Sequence, residues 1–409
     1  MHITHNINLK IAVQKIIKVS FLNLFFSYNF KKKKIIYKIQ RLFKLKTKNL
    51  IFIGRARTSI FLIIKYFKKD SYRRIVIISP FTIPAIINLI IKAGGKPLFV
   101  DFEKGTTSLN FIDLKKIIKK FKPLALIITH YHVNEQNYKR ICSYCKKNDV
   151  KIIEDCAISY SGNSNKTKIN TLSDASFFSF SSFKAVNYYY GGAIYSKHIS
   201  LIKYVQDTIK PWKKLTFFDY FEQVYKTQVY RLFTSKIIYN LLTHNLIKKR
   251  IFDKKKVKKK YFSNSLISKD YYKKPGDGFY REIDHKINNY KKIINHRRKI
   301  ARLYYDSLNS ISVLPKSFSK KDISENSFNF YLIRHKNSVD IRKHLIKKGY
   351  GIGKNYYENC RYMVKNSNKT LNLDVIIKEL LILPTHFDIT IDYAKKIIFE
   401  INYFIKNNK

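Results

Sequence analysis

Between residues 49 and 196 the chain alternates short apolar segments with amphipathic ones, and no other feature limits its possible folds as much. The short segments, such as NLIFIG, RIVIIS, ALIITHY and VKIIEDC, are apolar almost throughout, as strands covered on both faces are. The segments between them, such as TSIFLIIKYFKK and FIDLKKIIKKF, have the apolar spacing of helices that bury one face. This order predicts an α/β fold with a mainly parallel sheet, in which ligands bind beside the carboxyl ends of the strands.

The rest of the chain differs in composition and predicts three further units. Residues 1–48 form a basic, amphipathic N-terminal segment, and residues 49–199 contain the large α/β domain. Residues 200–275 are rich in Tyr, Phe, Leu and Lys with helical spacing, which predicts a helical basic insertion. A long helix and a smaller C-terminal α/β domain are expected over residues 276–409.

The formal net charge is +54, from 81 Lys and Arg against 27 Asp and Glu. Such a charge can indicate an anionic membrane surface or a nucleic acid as partner. The lysines are spread along most of the chain, and they accompany an abundance of Ile, Asn, Phe and Tyr, which share AT-rich codons. Genome-driven drift is therefore the plainer interpretation. Two clusters, Lys31–Lys34 and Lys248–Lys260, stay candidates for a membrane-surface or anion patch, and no nucleic-acid motif accompanies them.

Two apolar stretches approach the length of a membrane span. The stretch at residues 9–26 is interrupted by three lysines and predicts an amphipathic helix, or one lying on a membrane surface. The uncharged run Ile75–Ile91 is divided by Pro80 and Pro84, so we interpret it as a buried strand, a turn and a helix start. We expect no signal peptide and no membrane span.

The chain has four cysteines, which predict no disulfide framework and fit a reducing, cytoplasmic compartment. Cys142 and Cys145 form a C-x-x-C pair on a predicted helix, but no second pair accompanies them. Buried packing is the default for such a pair, and no metal site is expected.

An acidic strand end and a solitary lysine are the first candidates for chemistry. The apolar segment KIIEDCA ends in Glu154 and Asp155, and a carboxylate buried there needs a cationic partner. Lys184 is the only cation between Ile169 and Ser196. Apolar surroundings lower the pKa of a lysine, and this favours nucleophilic amine chemistry and Schiff-base formation.

Hydroxyl groups near these residues could hold an anion. Ser179 precedes Lys184, and Thr58 and Ser59 open a predicted helix directly after the strand that ends at Gly54. Backbone N–H groups and hydroxyls at a helix start bind phosphate. An amine for an aldehyde, a carboxylate for a ring nitrogen and donors for a phosphate are together what pyridoxal phosphate needs.

With these residues in view, the chain resembles the DegT/DnrJ/EryC1/StrS family of pyridoxal-phosphate-dependent sugar aminotransferases. The matching stretches are ISPFTIPAIINLIIKAGGKPLFVDFEKGTTSLN, IIEDCA, DASFFSFSSFKAVNYYYGGAIYS and LILPTHFDIT. The resemblance implies a fold-type-I aminotransferase-like large domain, with a mainly parallel sheet and a smaller C-terminal domain.

The resemblance also implies roles for individual residues. Lys184 would form the Schiff base with the cofactor and move the proton, and Asp155 would pair with the pyridine nitrogen. Ser179, together with Thr58 and Ser59, would contact the phosphate. A further candidate, His130, falls where the family has a histidine before a strand-end loop.

Several positions depart from the family pattern. Ile83 stands where an aromatic side chain usually stacks on the cofactor ring, and Ile158 where Gln or His lies near the ring oxygen. Val133 replaces an expected glycine. The phosphate-binding asparagine that a partner subunit donates in a G-Y-N-x-R segment has no match in residues 197–275.

The resemblance implies an aminotransferase that moves an amino group from an amino acid, with glutamate the expected donor, to a nucleotide-linked keto-sugar for polysaccharide biosynthesis. A cytoplasmic homodimer is expected. An alternative stays open, in which a catalytically decayed member acts as a binding or scaffold protein, with or without attachment to a membrane surface.

Overall fold

The computed structural model describes most of the chain from residue 32 onward. The described residues are 32–43, 45, 49–131, 137–159, 172–181, 184–188, 190–216, 218–222, 225–226, 229, 269–308, 312–313, 318–352, 357–365 and 367–408. The apolar stretch at residues 9–26, the basic cluster Lys248–Lys260 and Val133 lie outside the described residues.

A seven-stranded sheet, in the order β1-β8-β7-β6-β5-β2-β4, forms the centre of the large domain. Its strands are β1 (Leu50–Ile53), β2 (Ile75–Ile78), β4 (Lys96–Phe99), β5 (Ala125–Thr129), β6 (Lys151–Asp155), β7 (Ala175–Ser179) and β8 (Gly192–Ser196). Strands β4, β2, β5, β6 and β7 are mutually parallel, and only β8 runs antiparallel to its neighbours β7 and β1. The predicted mainly parallel sheet is confirmed.

Helices cover both faces of this sheet, which explains why its strands are apolar on both sides. They are α1 (Lys32–Phe43), α2 (Thr58–Lys69), α3 (Pro84–Lys92), α4 (Phe111–Phe121), α5 (Tyr138–Lys147) and α6 (Ile199–Ile209). Helices α2, α3 and α6 pack on one face of the sheet, and α1, α4 and α5 on the other. Alternate strand residues serve the two cores, so Ile51 and Ile53 face one and Leu50 and Phe52 the other.

Local signals set the helix boundaries. The side chain of Asn110 accepts hydrogen bonds from the first N–H groups of α4, at 3.0 and 3.1 Å. Pro84 occupies the first turn of α3, where its missing N–H has no cost. Gly94 ends that helix with a φ of 79°, a conformation that side chains disfavour.

The C-terminal unit is built on a second, three-stranded antiparallel sheet, in the order β12-β10-β9. Its elements are α7 (Asp277–Asn288), α8 (Tyr290–Ser307), β9 (Ser312–Val313), α9 (Lys320–Glu325), β10 (Phe330–Arg334), α10 (Ser338–Lys347), α11 (Leu371–Glu379), β12 (Leu380–Pro384) and α12 (Ile391–Asn407). A separate two-stranded ladder joins β3 (Phe81–Thr82) of the large domain to β11 (Glu358–Asn359).

The two helices that flank the central domain in sequence are both packed on protein. Helix α1 buries Ile35 and Ile39, and Lys38 on it lies 2.5 Å from Asp284 of α7. Helix α6 buries Leu201 and Val205 against the large-domain core. Among the described residues, no helix is both long enough and apolar enough to cross a membrane. The proposed division of the chain into four units stays a prediction.

Candidate active site

Three adjacent parallel strands, β5, β6 and β7, end in buried polar residues at one edge of the sheet. Their last residues are Thr129, Asp155 and Ser179, and each side chain is less than one-tenth exposed. This is the edge at which open parallel sheets bind ligands. The sequence predicted Asp155 at a strand end and Ser179 before Lys184, and the structure has them at the ends of neighbouring strands.

Asp155 is held by few hydrogen bonds for a buried carboxyl group. Its Oδ1 accepts the N–H of Ala157 at 2.9 Å, and its Oδ2 lies 3.5 Å from Oγ1 of Thr129. Burial raises the pKa of Asp155, although the Ala157 N–H and the positive charge of Lys184 act in the opposite direction. A cationic group placed against this carboxyl would therefore be strongly favoured.

Lys184 lies in the turn after β7, where its N–H donates to the carbonyl of Ser181 at 3.2 Å. Burial, opposed by the carboxyl of Asp155 and aided by the positive charges of Arg297 and Arg57, lowers the pKa of Lys184 to about 8. A substantial fraction of the Nζ amine is then neutral near physiological pH, which is the nucleophilic form.

The start of helix α2 carries two buried hydroxyls. Thr58 donates its hydroxyl to the carbonyl of Tyr271 at 2.9 Å. Ser59 is fully buried, and its Oγ has no hydrogen-bond partner among the described residues. A buried hydroxyl without a partner at a helix N-terminus fits an anion such as the phosphate of pyridoxal phosphate, because binding would satisfy it.

Ser179 forms a local hydroxyl pair just before the lysine. Its Oγ lies 3.0 Å from Oγ of Ser181 and accepts the N–H of Ser181 at 3.4 Å. Each hydroxyl retains acceptor or donor capacity for a further ligand. The amine of Lys184, the carboxyl of Asp155 and the hydroxyls of Ser59 and Ser179 therefore form a donor set that fits pyridoxal phosphate.

The structure directs His130 away from Asp155. Its Nε2 lies 3.0 Å from Oε1 of Glu154, and its ring packs against Tyr138 with centroids 5.4 Å apart. Glu154 and Asp155 are adjacent on β6, so their side chains point to opposite faces of the sheet. The backbone N–H of His130 donates a 3.1 Å hydrogen bond to the carbonyl of Asp155. The role expected for His130 at the cofactor stays a prediction.

Glu154 is the centre of a buried polar network that sequence reasoning did not interpret. It accepts hydrogen bonds from Tyr138 at 2.5 Å, Ser173 at 2.5 Å and Ser176 at 3.1 Å. Although burial alone would raise the pKa of Glu154, these bonds and His130 hold it below its usual range. Strand alternation could have indicated that Glu154 faces a different environment from Asp155.

Ile83 and Ile158, two of the departures from the family pattern, lie in different surroundings. Ile83 directly precedes α3 in an extended conformation and is partly buried. Ile158 is 2% exposed and packs in the core beneath α4 and α5, while its carbonyl accepts the hydroxyl of Ser327 at 3.3 Å. Neither side chain offers a polar contact to a ligand.

Two residues of the C-terminal part approach the site and were missed from the sequence. Arg297 of α8 is buried, donates to Oδ1 of Asn329 at 2.5 Å and carries a charge that Lys184 senses. Tyr357 packs its ring against Phe81, with centroids 5.3 Å apart. Both lie more than 100 residues from Lys184 in the chain, so no local pattern connects them with it.

Comparison with known proteins agrees with this geometry. Residues 45–209, which contain every side chain of the donor set, match the model of the DegT/DnrJ/EryC1/StrS aminotransferase family. This part of the chain is therefore similar to that family. Pyridoxal phosphate is the cofactor of DegT/DnrJ/EryC1/StrS aminotransferases, so the fit of the donor set has a chemical precedent.

Curated relatives within the family act on nucleotide sugars. The GDP-perosamine synthase of Vibrio cholerae is 30% identical over 121 residues, 30% of this chain and 33% of that enzyme. A UDP-4-amino-4,6-dideoxy-N-acetyl-beta-L-altrosamine transaminase of Campylobacter jejuni is 28% identical over 214 residues, 49% of this chain and 56% of that enzyme. The chain therefore spans only about a third to a half of the lengths of these relatives.

Solved structures of the family share the fold over the whole chain. PseC of Helicobacter pylori, an aminotransferase of pseudaminic acid biosynthesis, superposes with a TM-score of 0.71 at 14% identity, covering 100% of this chain and 99% of PseC. The PLP form of the putative sugar aminotransferase Spr1654 of Streptococcus pneumoniae gives a TM-score of 0.69 at 14% identity, with coverages of 100% and 99%. The chain thus has the fold of fold-type-I aminotransferases.

Proposed function

We propose that this protein is a pyridoxal-phosphate-dependent aminotransferase that moves an amino group from an amino acid, with glutamate as donor, to a nucleotide-linked keto-sugar. The observation that supports the proposal is a buried lysine, Lys184, whose amine interacts electrostatically with the buried carboxyl of Asp155, together with the unpaired buried hydroxyl of Ser59 at the start of α2. When bound, the cofactor supplies the electron sink that makes amino-group transfer possible.

Each residue of the donor set has a distinct task. The neutral Nζ of Lys184 would hold the cofactor through its aldehyde carbon, with release of water, and would accept and return a proton, because its lowered pKa makes both protonation states accessible. The carboxylate of Asp155 would hold a proton on the pyridine nitrogen. The hydroxyls of Ser179 and Ser59 would anchor the phosphate, whereas Thr58, expected from the resemblance to do the same, donates its hydroxyl to the carbonyl of Tyr271.

The sugar substrate is proposed by analogy with the relatives, whose names specify GDP- and UDP-linked amino sugars. Glutamate as donor rests on the family resemblance alone. The homodimer and the cytoplasmic location stay predictions. Attachment to a membrane surface also stays a prediction, because the basic cluster that motivates it lies outside the described residues.

The test is direct and chemical. The purified protein is titrated with pyridoxal phosphate, its visible absorption is recorded, and borohydride is added before peptide mapping. We expect the reduced cofactor on Lys184, no fixed cofactor in Lys184→Ala and unchanged labelling in the control Lys69→Ala, because Lys69 is exposed at the end of α2. A chain that binds no cofactor under any condition would refute the proposal.

A second candidate function, a binding or scaffold protein descended from the enzymes, is favoured by one observation. Ile158 is buried in an apolar core, where the family resemblance leads us to expect a polar side chain near the cofactor ring. The two candidates differ in turnover. A protein that binds pyridoxal phosphate but transfers no amino group from glutamate or other amino acids to any nucleotide-linked keto-sugar would support the scaffold.

A further inference from the structure

The two-stranded ladder between β3 and β11 places a C-terminal residue opposite an unusual position of the site. In this antiparallel ladder, Phe81 pairs with Asn359 and Thr82 with Glu358. The ladder itself ends at the Thr82–Glu358 pair, and the next residues outward are Ile83, which is still extended before α3 begins, and Tyr357. Continuing the register by one step would bring the backbone of Tyr357 close to that of Ile83.

The ring of Tyr357 is fixed in this place by aromatic neighbours. Its centroid lies 5.3 Å from that of Phe81, 5.5 Å from that of Tyr131 and 6.0 Å from that of Phe330. These rings come from both the large domain and strand β10, so Tyr357 is held from two sides.

The backbone next to Tyr357 is anchored to the same segment of the large domain. The N–H of Cys360 donates to the carbonyl of Pro80 at 2.8 Å, and its Sγ lies 3.4 Å from the carbonyl of Thr82. These two contacts of Cys360, directly after β11, keep the ladder in register, and with it the position of Tyr357.

The pKa of the Tyr357 phenol is also affected by charged groups of the site. Burial raises the pKa of Tyr357 well above its usual range, with the carboxyl of Asp155 adding to this effect and the guanidinium of Arg57 opposing it. The phenol is therefore neutral at any working pH. Asp155 is the partner proposed for the ring nitrogen, and Arg57 directly precedes Thr58 and Ser59, so the phenol of Tyr357 lies within electrostatic range of both ends of the space proposed for the ring.

We propose that Tyr357 supplies the aromatic contact to the cofactor ring that Ile83, at the usual position for this contact, cannot supply. The proposal rests on the proposed function, because it assumes that pyridoxal phosphate binds between Asp155 and the start of α2. An aromatic face stacks on a pyridine ring, whereas an isoleucine only covers it. A residue more than 270 positions away in sequence would thus replace a local one, through the register of a ladder.

The experiment measures the affinity for pyridoxal phosphate by absorbance titration of the cofactor-free protein. Tyr357→Leu removes the aromatic face, and we expect a Kd about tenfold higher, in line with the energy of aromatic pairs. Tyr357→Phe keeps the face and is expected to bind within about twofold of the unaltered protein. Tyr72→Leu, a change at a tyrosine that is 84% exposed and distant in sequence from β11, serves as the control and is expected to leave the Kd unchanged.

A rescue variant separates a stacking contact from a structural role. Ile83→Phe in the Tyr357→Leu background is expected to recover most of the lost affinity, because it restores an aromatic face from across the ladder. If Tyr357→Leu does not fold, Tyr357→Met replaces it, and the same rise in Kd and the same rescue are expected.

The outcomes distinguish this inference from the function on which it rests. Equal affinities of the leucine or methionine variant and the unaltered protein would overturn the role of Tyr357 while the proposed function stands, as would a loss that Ile83→Phe leaves unrepaired. If the unaltered protein binds no pyridoxal phosphate, the proposed function fails and this inference fails with it.

Discussion

Replacement of Glu154 should cause a large loss in the free energy of unfolding. Its side chain is fully buried, and its two oxygens form hydrogen bonds with four side chains, those of His130, Tyr138, Ser173 and Ser176. Glu154→Leu keeps a similar volume but leaves all four polar groups without this acceptor. Removing one member of a buried charged network costs about 3–5 kcal/mol.

Glu154→Gln offers a graded comparison. Its carbonyl oxygen can still accept from two partners, and the serine hydroxyls can rotate to accept from its amide. We therefore expect a smaller loss in the free energy of unfolding, about 1–2 kcal/mol. Glu222→Gln, at an exposed glutamate, is the control and should change nothing measurable.

The assay is urea unfolding of the cofactor-free protein, followed by circular dichroism at several pH values. The folded-state pKa of Glu154 lies below its usual value, so its stabilising effect is complete above the unfolded pKa of about 4.5 and is lost as the pH falls through the folded value. Glu154→Gln should therefore lose less stability than the unaltered protein on acidification. A loss below about 1 kcal/mol for Glu154→Leu at neutral pH would refute the reasoning, since a buried network cannot lose its acceptor so cheaply.

Three further predictions concern single groups of the site and its surroundings. In the cofactor-free protein, the labelling of Lys184 by an amine-reactive reagent should have a midpoint near pH 8. Asp155→Asn should lower that midpoint, because it removes the charge that favours the ammonium form. Peptide mass spectrometry measures both midpoints, and an unchanged midpoint in the variant would contradict the coupling. Ser59→Ala should weaken pyridoxal phosphate binding about five- to tenfold, which a titration measures. The thermal midpoint of the cofactor-free protein should be unchanged or higher in a melting curve, because the hydroxyl has no partner among the described residues. Asp101→Ala should lower the free energy of unfolding by about 1–2 kcal/mol, because Asp101 accepts the N–H groups of Asn372 and Leu373 at the start of α11, and urea unfolding tests this.

The parts of the fold and site that the sequence predicts are those with a local cause. The helix predicted from TSIFLIIKYFKK is α2, residue for residue, because its apolar spacing and its polar start are both present in twelve consecutive residues. Asp155 was predicted at a strand end from the apolar run that precedes it. Parallel strands then bring their ends together, so the donor set follows from topology once the sheet is known.

The parts that the sequence does not predict depend on contacts between distant segments. The position of Tyr357 is set by the register of a ladder of only two residue pairs, and no periodicity marks so short a strand. Arg297 lies on an ordinary amphipathic helix, and only the packing of α8 against β10 shows that it is buried near Lys184. His130 was assigned by its place before a loop, whereas the alternation of strand residues turns its ring toward Glu154.

This division between local and distant causes bears on how the site tolerates change. In the proposed function Lys184, in the turn after β7, and Asp155, at the end of β6, act through single atoms, so no residue elsewhere could replace them without rebuilding the sheet edge. A contact to the flat face of a ring is less demanding, because any aromatic side chain that reaches the face can provide it. Position 83 can therefore change from aromatic to aliphatic while the chemistry of Lys184 is retained, provided that a side chain across the ladder covers the ring. The tolerance for change at position 83 is limited, because Tyr357 is held in place by the ladder and by the contacts of Cys360 with the carbonyls of Pro80 and Thr82.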